Sequence, residues 1–344
     1  MGKIVLIVAY VFFVVLGITQ TASSQSPASH TLIGTPKTVH WGYYNSNIDP
    51  VLKINAGDTV TITTPHGVTS DFQAGGIPPD QISQNLKDIE REVKDRGAGP
   101  HILTGPIFVN GAEPGDVLEV HIQDIKITAP FGYNVNRINL GALPEDFPYT
   151  AVRIVKLDLK KMTTEPIPGV VIPLRPFFGS MGVAPPPELR KISSSPPGVH
   201  GGNIDLKELV PGTILYLPVH VKGALFSVGD PHVVMGDGEV NLSALEAAEM
   251  RGTFKFMVRK NARIIWPRAE TPTHFITLGL NEDLDVAAKM AIREMINYLS
   301  EEKKMTREQA YMLCSVAVDF RVTQLVDGVK GIHAMLPKNI FTTK

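Results

Sequence analysis

Glu113-Pro114-Gly115-Asp116-Val117-Leu118-Glu119-Val120 sets a glycine turn directly before an alternating run of aliphatic residues. The same order recurs in Ala56-Gly57-Asp58-Thr59-Val60-Thr61-Ile62 and in Val210-Pro211-Gly212-Thr213-Ile214-Leu215-Tyr216-Leu217. Glycine allows the turn, and the β-branched and aliphatic residues that follow suit a strand with one buried face. Repeated short strands divided by Pro and Gly turns predict a mainly β (α+β) protein built of β-sandwich or jelly-roll-like sheets. Pro185 to Pro197, with its runs Pro185-Pro186-Pro187 and Ser193-Ser194-Ser195-Pro196-Pro197, is short of ladder donors and is expected to be a loop leading to His200.

The period changes in the last third. Leu284, Ala288, Ala291, Ile292, Met295 and Leu299 mark one face of a helix, and Asp283 and Asp285 stand at its start, where the helix dipole favours negative charge. Thr306-Arg307-Glu308-Gln309 is a capping-box signature for a second helix running to about Ala317. A strand-like run, Phe320 to Val326, follows. The expected organisation is one domain over 25–344, β-rich over 30–280, with a C-terminal helical hairpin and final strand over 281–337. Cys314, the only cysteine, falls in the second helical pattern and is expected to pack as a small hydrophobe.

At the other end, Lys3 precedes an apolar run from Ile4 to Ile18, and Thr21, Ala22, Ser23 and Ser24 follow. That order of charge, apolar core and small residues reads as a signal peptide over 1–24, and so as export, secreted or periplasmic. The run is shorter than the roughly 20 residues of a spanning helix, which makes a retained membrane anchor the weaker reading. An exported chain with one cysteine has no internal disulfide and must rely on its core. Lys and Arg total 33 against 34 Asp and Glu, for a net charge of −1, with no basic run. Nucleic acid and anionic membrane surfaces are therefore excluded as expected partners.

Candidate chemistry is concentrated between Gly198 and Glu239. His200-Gly201-Gly202-Asn203-Ile204-Asp205 is followed, after one strand-like run, by Gly229-Asp230-Pro231-His232-Val233-Val234-Met235-Gly236-Asp237-Gly238-Glu239. In an extended chain Asp230 and His232 share a face, and the same parity joins Asp237 to Glu239. A catalytic divalent metal such as zinc takes about three His or carboxylate ligands and keeps a position for water. Asp205, Asp230 and His232 would suffice, with His101 and His200 in reserve. Singly, each of these residues reads as ordinary turn or packing chemistry; their density is what points to a site. His66 and His40 stand alone and read as packing histidines. A blue-copper carrier lacks its cysteine ligand, since Cys314 is expected in a helix, and no Gly-x-Ser-x-Gly elbow supports a serine hydrolase. A non-catalytic exported protein that binds a small molecule or a metal is the alternative.

Several runs, in order, resemble the acetamidase/formamidase family: Leu103-Thr104-Gly105-Pro106-Ile107, Val109 to Leu118, Phe178-Gly179-Ser180-Met181-Gly182-Val183-Ala184-Pro185, Gly201 to Asp205, Ser227 to His232, Gly236 to Glu239, Glu270 to His274 and Val322 to Gly331. The resemblance spans about His30 to Pro337. It implies hydrolysis of a short aliphatic amide to a carboxylate and ammonia, a sandwich-like fold, a homo-oligomer and a divalent metal, with zinc first and calcium or another ion as alternatives. It carries the family's histidine and carboxylate motifs onto His101, Asn203, Asp205, Asp230, His232 and Glu239. On that footing Asp205, Asp230 and His232 would hold the metal, with His101 as a fourth ligand. Glu239 would shuttle a proton, Asn203 would orient the amide, and the Gly179 to Gly182 segment, with Met181, would contact substrate and its oxyanion. Met235 stands where many relatives have glutamine. The sequon Asn241-Leu242-Ser243 lies beside the proposed site, where a glycan would crowd the entrance.

Overall fold

The structure, a computed structural model, describes Gly2 and residues 26–342. The expected signal peptide over 1–24 lies, Gly2 apart, outside the described residues. Each of the three quoted turns places its glycine at a positive φ, 101° at Gly57, 91° at Gly115 and 89° at Gly212. Asp58 and Asp116 close their turns by accepting from the backbone N–H groups of Asn55 and Glu113, both at 2.9 Å. Thr213 does the equivalent in the third, donating to the Val210 carbonyl. The strands released, Thr59–Pro65, Val117–Ile127 and Ile214–Pro218, all belong to one nine-stranded sheet. Along Thr59–Pro65, Val60, Ile62 and Thr64 are buried and alternate with half-buried threonines.

The second sheet has eleven strands, and the strand Phe226–Val234 is its hub. It pairs antiparallel with Phe177–Gly182 on one side. On the other it pairs with Ile102–Asn110 over its first half and with Leu245–Ala247 over its second. Gly201–Asn203 continues the sheet beyond Phe177–Gly182, and Phe131–Asn136 continues it beyond Leu245–Ala247. The two sheets face each other across the main core. Phe254 and Phe256 from the first meet Phe178 and Phe226 from the second, with ring centroids 5.7 Å apart for Phe178 and Phe254 and 5.1 Å apart for Phe226 and Phe256. The fold is thus a mainly β sandwich, as expected.

The helical hairpin is also present. Leu284–Glu302 begins where Asp283 accepts from Val286 N–H, and Arg307–Ala317 opens on a complete capping box between Thr306 and Gln309. Ala287, Ala291, Met295 and Leu299 pack against Ile332, Ala334 and Leu336 of the nine-stranded sheet, with Cys314 buried among them. Burial pushes the Cys314 thiol up to about 11, so it stays protonated and inert. Two features differ from the expectation. Thr69–Ala74 and Gln84–Glu92 are short helices, packed with Trp41, Phe72 and Tyr133 in a separate small core beside the hub. Within the proline-rich stretch, Lys191–Ser193 pairs antiparallel with Tyr43–Asn45, because these residues lie between the prolines and keep their N–H groups. No helix among the described residues is long and apolar enough to cross a membrane.

Candidate active site

Three histidines and five carboxylates meet where the second half of the hub strand faces Leu245–Ala247. His232 is the centre. Its Nε2 lies 3.1 Å from Asp230 Oδ2, 3.3 Å from Glu246 Oε2, 3.8 Å from Glu239 Oε1 and 3.9 Å from Asp205 Oδ1. His66 Nε2 approaches Asp230 Oδ1 at 3.4 Å and Glu246 Oε2 at 3.6 Å, and His101 Nε2 stands 3.9 Å from Asp230 Oδ1. Asp327 adjoins Asp205 and Asn203. All of these groups except the edge of Asp327 are buried. None of the five carboxylates pairs with a lysine or arginine among the described residues; their only ion-pair partners are these histidines.

The chain needs unusual backbone to build this. Asp205, Asp230 and Glu239 have φ of 54°, 58° and 48°, in the left-handed region that non-glycine residues seldom occupy. Asp230 is therefore not the extended residue that strand parity assumed, although its carboxylate still reaches His232. Parity fails altogether for Asp237. It turns away from the site to pair with Lys207 at 3.0 Å and Arg321 at 2.5 Å, while the left-handed turn sends Glu239 inward.

The positioning contacts are specific. The Phe177 ring meets the His232 imidazole edge to face at 4.9 Å. His101 Nδ1 donates to the Ser194 carbonyl at 3.0 Å, which leaves its Nε2 as a lone pair facing the cluster. Behind the site runs an ion chain. Arg175 pairs with Glu208, Arg321 with Glu208 and Asp237, and Lys207 with Asp237. It ties together the segments that carry Asp205, Glu239 and Asp327. Gly179 is the neighbour of the acidic groups, and a β-carbon there would collide with the carboxylates of both Asp230 and Asp205.

Charge state follows from burial and crowding. Burial disfavours imidazolium at His232, but Asp230, Glu246 and Asp205 outweigh it and raise that ring from 6.5 to about 10. Burial also works against ionisation of Asp230, yet His232, His101 and His66 reverse this and hold it well below the ordinary carboxylate range. Burial and the Asp230 charge push Asp205 up to about 7. Burial, joined by Asp230 and Asp205 against the opposing His232, lifts Glu246 to about 8. Glu239 and Asp327 rise well above their usual values through burial and the Asp205 charge. Burial lowers His66 to about 4 and lowers His101, keeping both rings neutral.

The remaining candidates are placed as follows. Asn203 lines the cavity in front of the cluster, and its buried Oδ1 has no hydrogen-bond partner. His200 is outside the cluster, packed against the Tyr44 ring at 4.8 Å. The oxyanion expectation for Gly179 to Gly182 is corrected. Ser180, Met181 and Gly182 are paired on both edges, to Gly201–Asn203 and to Phe226–Val234, so their backbone groups serve the sheet. Met181 belongs to the inter-sheet core, Gly182 lies against Gly202 and Tyr44, and only Gly179 reaches the acidic groups. Met235 packs on Phe177 and Ala244 behind His232. Asn241 and Asn134 exchange amide hydrogen bonds, and Ser243 Oγ accepts from the Val135 and Asn134 N–H groups, so the sequon is tied to the neighbouring strand, with Leu242 and Ser243 on the cavity wall.

His66, Glu246 and Asp327 are site members that the sequence reading did not select. Glu246 carried a signal: a carboxylate between Leu245 and Ala247 in an apolar run needs a partner.

Comparison with known proteins agrees with this architecture. A sequence profile described as the Acetamidase/Formamidase family matches residues 31–195 and 192–343. The crystal structure of an acetamidase from Bacillus halodurans superimposes with a TM-score of 0.76 at 33% identity, covering 90% of this chain and 98% of that one. A formamidase from Methylophilus methylotrophus is 25% identical over 343 residues, 79% of this chain and 83% of the relative. A Schizosaccharomyces pombe relative is 29% identical over 263 residues, and the chain spans about three fifths of that protein, 61%. With nearly all of its described residues matched in order, the chain belongs to the acetamidase/formamidase family of amidohydrolases.

Proposed function

We propose that the chain hydrolyses a primary carboxamide to a carboxylate and ammonium with the help of a divalent metal. The observation that carries this reading is the set of buried, unpaired donor atoms at the cluster. Both carboxylate oxygens of Asp205 and both ring nitrogens of His232 lack a hydrogen-bond partner. An unpaired buried polar atom costs about 1–3 kcal/mol, and the atoms that face the cluster are the Asp205 oxygens and His232 Nε2, the last with Asp230 as its near neighbour at 3.1 Å. A cation offsets that cost. The donor set, imidazole and carboxylate, suits zinc or a comparable ion. Asp230, Glu246, Glu239 and Asp205 each present an oxygen 3.1 to 3.9 Å from His232 Nε2, the spacing expected of atoms gathered around an ion at about 2 Å. Asp205, Asp230 and His232 would hold it, with His101 Nε2 beside them. When bound, the ion would acidify a water and polarise the amide carbonyl.

The chain's own groups do the rest. Glu239, buried at the cavity wall with a raised pKa, takes a proton from the attacking water. It delivers that proton to the amide nitrogen as the carbon–nitrogen bond breaks, since ammonia leaves only when protonated. Asn203 Oδ1, unpaired and lining the cavity, accepts from the substrate NH2 group and turns the carbonyl toward the cluster. His66 and Glu246 fix the orientation of Asp230 and His232.

The test is ammonia release from formamide, acetamide and propionamide by purified protein of measured metal content, before and after chelation. Release that is lost on chelation and restored by the ion is expected. Asp230→Ala and His232→Ala should lose both metal and activity. Metal-replete protein that releases no ammonia from any amide would leave the binding-protein reading in its place.

A further inference from the structure

The cavity in front of the cluster has a volume of about 440 Å³. An ion and one or two waters would occupy about 100 Å³ of this at ~30 Å³ per water. What remains holds about ten waters, whereas acetamide, with four heavy atoms, displaces only a few. A space of this size belongs to the class of pockets that enclose ligands much larger than acetamide. Away from the cluster its walls carry five aliphatic side chains, Val68, Val135, Leu140, Leu242 and Val326, among which the polar groups are Tyr133, Ser195, Ser243 and the Asp71–Arg137 pair. The one arginine on the wall, Arg137, is neutralised by Asp71. Among the described residues, no lysine and no further arginine lines the cavity to hold an anionic tail.

We infer that the preferred substrate is a primary amide with an extended apolar acyl group, about five or more carbons, seated between Leu140, Val135 and Val326 with its amide at Asn203 and Glu239. This rests on the amidase reading for the identity of the polar head, while the apolar pocket stands on the cavity itself. Each methylene buried there is worth about fourfold in affinity. Four extra methylenes therefore predict an advantage of hexanamide over acetamide on the order of 100-fold.

The test has two arms on the metal-replete full chain. Calorimetric titration of acetamide and hexanamide into the Glu239→Gln protein, where turnover is suppressed, reads the pocket alone. Ammonia release by the unmodified protein along the series from acetamide to hexanamide reads the reaction. Binding and kcat/KM that both climb along the series are expected. Leu140→Asp, at a side chain already 49% exposed and so not needed for folding, should cut the hexanamide-to-acetamide ratio at least about tenfold. Hexanamide binding no tighter than acetamide would overturn the inference, whatever the turnover. Tight hexanamide binding without ammonia release would uphold the pocket and sink the amidase reading. A ratio untouched by Leu140→Asp, checked with Val326→Asp, would also overturn the placement of the tail.

Discussion

Asp205, Asp230 and Glu239 each hold a left-handed backbone, a conformation that costs about 1–3 kcal/mol when the residue is not glycine. Their surroundings compel it. The reward is convergence: Asp230 from the same strand, Glu239 from the turn after it and Asp205 from a separate segment all reach the His232 imidazole. Gly179 is the complementary device, an absent side chain that makes room for two acidic ones. Gly179→Ala is expected to keep the fold, since its strand is paired on both sides. It should lower metal affinity and kcat/KM by about 10- to 100-fold. Metal content by elemental analysis beside ammonia release checks this, and unaltered values of both would contradict the crowding argument. Of the dense set of ligand-type residues legible from His200 to Glu239, Asp205, Asp230, His232 and Glu239 come together, whereas His200 and Asp237, equally prominent in the sequence, do not. His66 was not legible, because its neighbours Thr64, Pro65 and Gly67 describe only a turn and its partners lie far along the chain. Asp327, before Gly328, looked equally like a turn residue.

At the level of elements, the quoted turns revealed three strands because the Gly-Asp and Gly-Thr grammar is local chemistry, while their membership of one sheet is set by pairing far along the chain. Which strands lie beside the site is a matter of long-range pairing, and no spacing in Phe226–Val234 announces that Leu245–Ala247 will bring Glu246 opposite His232. The short helices Thr69–Ala74 and Gln84–Glu92 escaped notice for a related reason. Their lengths, six and nine residues, give too few turns for a helical period to emerge. The ion chain through Arg175, Glu208, Arg321, Asp237 and Lys207 is an element-scale clamp, joining three segments whose site carboxylates repel one another. Arg321→Met should therefore reduce kcat/KM roughly tenfold by loosening the segments behind the site. The thermal midpoint should move little, because Arg321 is partly solvated and such pairs add modest stability. Arg321→Lys should recover part of the activity. Full activity in Arg321→Met would show that the segments hold position without the clamp.

For the whole molecule, stability depends on histidines buried as neutral rings away from the site. Burial lowers His40 and His333 from 6.5 to about 4 and His200 to about 3. The unfolded chain binds protons at these rings below pH 6.5 while the folded chain does not. Their stabilising contribution is complete above about pH 6.5 and declines as pH falls toward 4. Each ring lowers stability by about 1.4 kcal/mol per pH unit within that window. The buried carboxylates of the site, Asp205, Glu246, Glu239 and Asp327, whose pKa values are raised in the fold, act in the opposite sense over the same range. Urea unfolding from about pH 7.5 to 5 should therefore show the unmodified chain losing stability relative to His200→Phe as pH falls below about 6.5, and a difference that does not change with pH would mean that His200 gains its proton without unfolding.

The hub strand Phe226–Val234 hydrogen-bonds three neighbours while carrying two of the acidic and imidazole groups. Leu140, Leu242 and Val326, which shape the space before them, lie outside the strands. Inheritance therefore acts on the two parts differently. A backbone change around Asp230 or His232 also disturbs the ladder that holds the sandwich together, whereas a change in the loops that carry Leu140, Leu242 and Val326 alters what fits and leaves the sheet intact. Divergence among such chains is then expected as drift in appetite around an unchanging reaction.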